Sequence, residues 1–325
     1  MATGIVSISA RLLGFPLLAE VLFWVNGAAF ATLWVLTLVR IARFPREVLA
    51  DLSDHQRGVG FFTAVAASSV FGSQFVVLHG AAGPAFALWI LTIVLWAGLV
   101  YAVFTLLTVK EEKPTLDAGI HGGWLVAVVA TESVSTLGSL LARSFPEHTE
   151  AILFAALVFW LAGGMLYMWL ISLIFYRYTF FRFLPSDLSP PYWINMGAMA
   201  ISTLAGAFLC ANASLSPLLG RMVPFLLGFT LFFWATATWW IPMLLILGFW
   251  RHVLRRFPLE YHPLYWGAVF PLGMYTACTY RLADVTGLSF LFAVPRVFLW
   301  IAVVAWSLAF VGLLRRVVRL AVSSG

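Results

Sequence analysis

Apolar runs of about twenty residues alternate along this chain with short breaks that hold proline, glycine and charge. A helix needs roughly 20 mostly apolar residues to cross a bilayer. The runs predict ten crossings, near residues 1–14, 17–41, 58–80, 84–108, 119–142, 149–177, 191–213, 221–249, 263–284 and 291–314. Breaks such as Arg43-Phe44-Pro45-Arg46, Lys110-Glu111-Glu112-Lys113-Pro114 and Leu188-Ser189-Pro190-Pro191 are too short to hold a soluble domain. The chain therefore reads as one all-α transmembrane domain over residues 1–325.

The crossings are of two kinds, and the kinds alternate. Even-numbered ones are bulky and apolar, as in Leu88-Trp89-Ile90-Leu91 or Val297-Phe298-Leu299-Trp300-Ile301. Odd-numbered ones are rich in small and hydroxyl residues, as in Ala64-Val65-Ala66-Ala67-Ser68-Ser69, Ala130-Thr131-Glu132-Ser133-Val134-Ser135-Thr136 and Met199-Ala200-Ile201-Ser202-Thr203. Lipid favours large apolar groups, whereas close packing and aqueous paths favour small and polar ones. The pattern predicts an inner ring of odd helices around a pore and an outer ring of even ones. A glycine recurs on each odd helix, at Gly4, Gly72, Gly138, Gly206 and Gly273, with spacings of 68, 66, 68 and 67 residues. That period is one helix pair, the mark of five tandem hairpins whose odd helices all run in the same direction. The same glycines fit a plain role in close helix contact equally well. Gly4 has only three residues before it. On the repeat, the first inner helix lacks roughly ten residues, about 15 Å, so the natural start is expected upstream of Met1, or else the pore wall is incomplete.

Composition sharpens the class. The chain is 62% hydrophobic and 10% charged, with a mean hydropathy of +0.98; soluble domains carry about 25% charge. The net charge of +6 does not point to nucleic acid, because the basic residues sit in clusters between the apolar runs. Fourteen of them follow even helices or close the chain, against five on the other side. By the positive-inside rule both termini lie in the cytoplasm, with the chain multi-pass in the inner cell membrane. Cys210 and Cys278 lie within apolar runs, which argues against a disulfide framework. The six histidines lie in links or at helix ends and form no His-x-x-x-His pair or thiol–His arrangement, so no metal site, cofactor or enzyme chemistry is expected.

Several segments resemble a known family: Met1-Ala2-Thr3-Gly4-Ile5-Val6-Ser7-Ile8, Gly72-Ser73-Gln74-Phe75, Trp239-Trp240-Ile241-Pro242 and Tyr265-Trp266-Gly267-Ala268-Val269-Phe270-Pro271-Leu272-Gly273. They are similar to the tellurite-resistance/C4-dicarboxylate transporter family, which includes malic acid transport proteins and plant slow-type anion channels. The resemblance implies a homotrimer with one pore per subunit, passive movement of small inorganic anions or dicarboxylates, and a phenylalanine on the ninth helix that plugs the pore. That role falls on Phe270, which matches the Trp-x-x-x-Phe-Pro segment. Physically, Pro271 removes a backbone hydrogen bond and can turn the preceding ring off the regular helix face. A large ring in a narrow lumen blocks ions and excludes water.

Glu132 is the one carboxylate deep in a helix, and such a group is expensive in mid-membrane. It is expected to face the pore or the bundle interior, on the cytoplasmic side of Phe270. A fixed negative charge would repel anions, so a protonated carboxyl is expected; in the glycine register Arg281 lies roughly 21 Å away, too far to pair. The rival reading is a proton-coupled dicarboxylate carrier that uses Glu132. Ser69, Gln74, Ser139, Ser202 and Thr276 are expected pore-lining groups beside the five glycines, although packing explains each of them as well. Arg11, Arg143 and Arg281 are expected to form a positive outer vestibule; ordinary pairs, Arg281 with Asp284 and Arg11 with Glu20, are the alternative.

Overall fold

The computed structural model describes residues 1–323. Ten α-helices longer than ten residues make up the chain: α1 (Ala2–Leu12), α2 (Pro16–Arg43), α3 (Phe62–His79), α4 (Ala82–Val109), α5 (Val126–Leu141), α6 (Thr149–Phe180), α7 (Ile194–Ala211), α8 (Pro217–Phe249), α9 (Trp266–Thr286) and α10 (Ala293–Ser323). Two short helices, Pro45–Leu52 and Leu116–Gly119, occupy links, and there is no strand among the described residues.

The punctuation is local chemistry. Proline opens α2 and α8 at their first turn, where its missing N–H costs nothing. Gly80 and Gly287 stop α3 and α9 in the left-handed region, with φ of 64° and 70°. Each of α3, α5, α7 and α9 is led in by a single 3-10 turn, at Gly58–Phe61, Gly122–Leu125, Pro190–Trp193 and Pro263–Tyr265. 3-10 turns also lead into α6 and α10, at Pro146–His148 and Ser289–Phe292, so this entry is shared by helices of both kinds.

Eight segments are long and apolar enough to cross a membrane. Two of the expected ten crossings are not among them. Helix α1 has 11 residues, about 16 Å at 1.5 Å per residue. Helix α9 is long enough but carries Tyr275, Thr276, Thr279, Tyr280, Arg281 and Asp284 along its second half. Burial differs most at the extremes: 94% of the most apolar window in Gly122–Ser144 and 89% of that in Pro190–Ala211 are buried, against 17% for Pro16–Arg43 and Ser289–Leu320, while Gly58–His79 at 50% and Pro146–Phe180 at 44% lie close together. Exposed side chains such as Leu17, Trp24, Val94, Trp169 and Leu308 belong to even helices, the surface that lipid covers. Helix α1 packs on α3, α3 on α5, α5 on α7, α7 on α9, and α9 again on α1.

Tryptophans join the two sets of helices. Trp89 of α4 lies against Gly138 and donates its indole N–H to the Val134 carbonyl at 3.0 Å. Trp160 of α6 lies against Gly206 and donates to the Ser202 carbonyl at 2.9 Å. In both, the acceptor stands four residues before the glycine. A side chain at either glycine would expel the ring, so these two glycines make the close approach possible. Trp96, Trp234 and Trp306 donate instead to the hydroxyls of Thr131, Thr279 and Thr3, at 2.7, 3.0 and 2.9 Å. In lipid an indole N–H without an acceptor is costly, so every such ring needs a hydroxyl or carbonyl on its neighbour. The Trp239–Trp240 pair divides the two demands: Trp240 is buried and donates to the Tyr167 hydroxyl at 2.9 Å, while Trp239 is exposed.

On the link after α2, Asp51 accepts from Arg57 at 3.0 Å and from Arg40. Those guanidiniums, Arg57 foremost, hold its carboxyl below the ordinary range, against the opposing effect of burial.

Candidate functional site

One cavity is bordered by all five odd helices. Its walls are Ile5, Ile8 and Leu12 of α1; Ser69, Val70, Ser73 and Val77 of α3; Ser133, Thr136 and Leu140 of α5; Ile201, Leu204 and Phe208 of α7; and Met274, Ala277 and Arg281 of α9. On α1, α5, α7 and α9 these positions step by three or four residues, so each contributes a single stripe; on α3 the adjacent Ser69 and Val70 both border the cavity, a wider face. The cavity lies toward the C-terminal ends of the odd helices and holds about 20 Å³, room for one water-sized body.

The α9 stripe reads Arg281, Ala277, Met274. One further turn along the same face is Phe270. Its ring is fully buried, and the cavity stops before reaching it. Pro271 turns to the other side, packed on Gly197 of α7.

Ser69 and Arg281 are the expected lining and vestibule residues that border this cavity. The register glycines serve packing. Gly4 faces Val70, Asn26 and Gln74, Gly72 faces Leu137, and Gly273 faces Ile5 and Val6, while Gly138 and Gly206 receive the indoles already described. Gln74 accepts from Asn26 at 2.7 Å, which ties α2 to α3. The Ser139 carbonyl accepts from Asn212 at 2.9 Å, and Thr276 donates back to the Leu272 carbonyl at 3.0 Å.

Glu132 lies in the bundle interior, hydrogen-bonded to a neighbouring helix. Adjacent residues on a helix point about 100° apart; Ser133 borders the cavity, and Glu132 therefore turns away from it, against Gly163 of α6. Ser202 donates to its Oε1 at 3.0 Å, and Oε2 is buried without a protein partner. Among the described residues no Lys, Arg or His comes within 4.0 Å of it. The group sits between α5, α6 and α7 and does not border this cavity.

The arginines also divide. Arg281 keeps Asp284 at 3.6 Å and lays its guanidinium over the Phe208 ring at 5.3 Å, still on the cavity wall. Arg143 is committed to Asn212 Oδ1 at 2.9 Å and the Ala211 carbonyl at 3.0 Å, where it caps the end of α7. Arg11 is exposed. Glu20, the partner considered for it, instead accepts from Trp24 at 2.9 Å and lies 3.7 Å from His79. A three-arginine vestibule is therefore reduced to Arg281 on the cavity itself. Among the described residues no cluster of His, Cys, Asp and Glu is placed to hold a metal.

Ser73, Ser133, Thr136, Met274 and Ala277 border the cavity and were not singled out from the sequence. The signal that finds them is the face of each helix. Counting back from Arg281 in steps of four, three and four gives Ala277, Met274 and Phe270.

Comparison with known proteins places this architecture. The family model described as the SLAC1 voltage-dependent anion channel matches residues 1–314. The chain belongs to that family. Over 151 residues it is 38% identical to an uncharacterized membrane protein of Mycobacterium tuberculosis, covering 46% of this chain and 75% of that protein. Two uncharacterized transporters of Methanocaldococcus jannaschii match more of it. One is 25% identical over 300 residues, covering 88% of this chain and 83% of the relative; the other is 26% identical over 333 residues, covering 96% and 89%. The chain is thus a multi-pass membrane protein of an anion channel and transporter family, in agreement with the resemblance read from its motifs.

Proposed function

We propose that this SLAC1-family protein is a passive pathway for small anions, with α1, α3, α5, α7 and α9 as an inner ring around the path and Phe270 as its plug. The observation that carries the reading is the α9 stripe. A cavity bordered by five helices ends where the next residue on the same face is a fully buried phenyl ring. A neutral ring across an apolar, water-sized passage blocks an ion both by volume and by denying it hydration. In the orientation favoured by the basic residues, both termini are cytoplasmic and the cavity opens outward. A homotrimer with one path per subunit completes the proposal.

The test is electrical recording from the purified protein in planar bilayers. With a chloride gradient the reversal potential should follow the anion, and exchange of sodium for a large organic cation should leave it in place. A reversal potential that follows the cation, or the absence of any current from both the unaltered protein and well-folded Phe270→Ala, ends the reading.

The rival, a proton-coupled dicarboxylate carrier, makes its demand on Glu132. That carboxyl lies against α6 with a single donor, Ser202, and borders no part of the cavity. A neutral amide fits the same place, because Ser202 still has an oxygen to donate to. Glu132→Gln is therefore expected to fold and to leave both the anion current and its pH dependence as they were. A pH dependence that disappears with the substitution would turn the choice to the carrier.

A further inference from the structure

Positive charge gathers at the end of α10 and on the link after α8, and no carboxylate offsets it. Helices α8 and α10 have 33 and 31 residues, well over the roughly 20 that cross a bilayer. Both are even helices and close on the same side, so their last turns stand at the edge of the hydrocarbon or beyond it. Arg315, Arg316 and Arg319 lie in the closing turns of α10, and Arg255 and Arg256 follow α8. All five are exposed, and among the described residues none has a carboxylate within 4.0 Å. The chain holds no acidic residue after Asp284, and on the link after α8 only Glu260 is acidic.

The fold brings the two groups to one corner. The link lays the Tyr261 ring on Gly312 of α10, in the space a side chain would fill. Trp266 donates to the Tyr261 hydroxyl at 3.3 Å and stands edge-on to Trp306 of α10 at 6.4 Å. From Gly312, steps of three and four residues reach Arg315, Arg316 and Arg319, so the arginines continue the helix face on which the link rests. On the link, Arg256 takes a left-handed turn at φ 50°. Arg255 rests over the Trp250 ring at 5.8 Å, a contact that leaves its charge unneutralised. Arg251, by contrast, is committed within the protein, over Phe257 at 4.3 Å and to the Leu188 carbonyl. Val253, Leu254, Leu314 and Val317 are exposed among these arginines. Water disfavours those apolar groups and acyl chains disfavour guanidinium, whereas the boundary between headgroups and chains accommodates both.

We propose that this corner binds anionic phospholipid, with the arginines on the headgroup phosphates and the interleaved apolar groups at the first acyl carbons. A guanidinium gives two parallel N–H bonds to a phosphate, and clustered basic residues beside a membrane span favour anionic lipid. The link after α2 carries less free charge, because Arg40 and Arg57 both bind Asp51 and Glu47 follows Arg46. The proposal stands apart from the anion path and holds whatever the pore carries.

The test measures melting of the full chain in neutral detergent with added phosphatidylglycerol or phosphatidylcholine of the same acyl chains. A ligand that binds the folded state raises the melting temperature. Phosphatidylglycerol should raise it by about 5 °C more than phosphatidylcholine does, and salt raised from about 50 to about 500 mM should remove most of that excess. Arg315→Gln, Arg316→Gln and Arg319→Gln combined should lose at least about half of it, as should Arg255→Gln with Arg256→Gln. Lysine at the same positions should keep most of it, since a point charge still meets the phosphate. Arg43→Gln with Arg46→Gln should change it little. Glycerol 3-phosphate should give no rise; a rise from it would assign the site to a soluble phosphate and overturn the lipid reading. Equal shifts with the two lipids, an excess that survives high salt, or an equal loss from the Arg43 and Arg46 substitutions also overturns the proposal. The lipid and salt comparisons use the unaltered chain, so they decide the matter even where a glutamine variant fails to fold.

Discussion

Phe270→Ala is expected to raise the anion conductance of the reconstituted protein by about tenfold or more, with little change in thermal stability for so large a truncation. Removing a buried phenyl ring from a packed core costs about 3–5 kcal/mol, because a cavity is left behind. A ring that stops a water-filled path leaves a space that water and ions enter, so the loss should be smaller. The pair of readouts separates the two roles of the residue. Higher conductance with near-unaltered melting marks a plug; unchanged conductance with a much lower melting temperature marks a core aromatic, and the gate then lies elsewhere. Phe270→Leu should fall between, since a smaller apolar group still bars the hydrated ion.

The largest loss of stability is expected at Trp160. Its ring is fully buried, contacts Phe225, Phe229 and Phe233 edge-on at 5.6–6.2 Å, and pins α6 to α7 through the Ser202 carbonyl. Trp160→Ala should cost about 3–5 kcal/mol. In detergent that corresponds to a fall of about 5 °C or more in melting temperature. Trp169 lies on the same helix and faces outward. Its replacement by alanine should leave melting nearly unchanged and serves as the control. Equal melting of the two variants would show that the wedge against Gly206 does not hold the helices together.

How far the sequence could be read follows from which features are periodic. Helix positions were legible because apolar length is a one-dimensional property: α4 is a 28-residue run broken by Lys110, and α8 stops near a charged stretch at Arg251. The segments Pro45–Leu52 and Leu116–Gly119 are too short to show a helical period and were read as plain links. The contrast between small and bulky helices has its counterpart in burial, since volume next to the backbone decides how close a neighbour comes. The glycine register located close contacts without saying what fills them. Gly138 and Gly206 take indoles, whereas Gly4 and Gly72 take Val70 and Leu137. The direction in which a side chain points was the weakest reading. Glu132 and Ser133 are neighbours in sequence, yet one rests on α6 and the other borders the cavity. A choice between them needs the helix rotation, which only the surrounding helices fix. Arg143 is the same lesson at a helix end, since its partners Ala211 and Asn212 lie 68 and 69 residues away.

If Phe270 is the plug, its chemistry has an electrical consequence. An elementary charge that crosses the full membrane potential gains about 2.3 kcal/mol per 100 mV, the source of steep voltage sensing in channels built on charged segments. A phenyl ring carries no charge, and of the side chains that border the cavity only Arg281, near its mouth, carries one. On a movement of such a ring the field would do almost no work. Membrane potential would then drive the anion through an open path and leave the ring's own equilibrium alone, so a gate of this kind would report on occupancy and hydration of the lumen rather than on voltage.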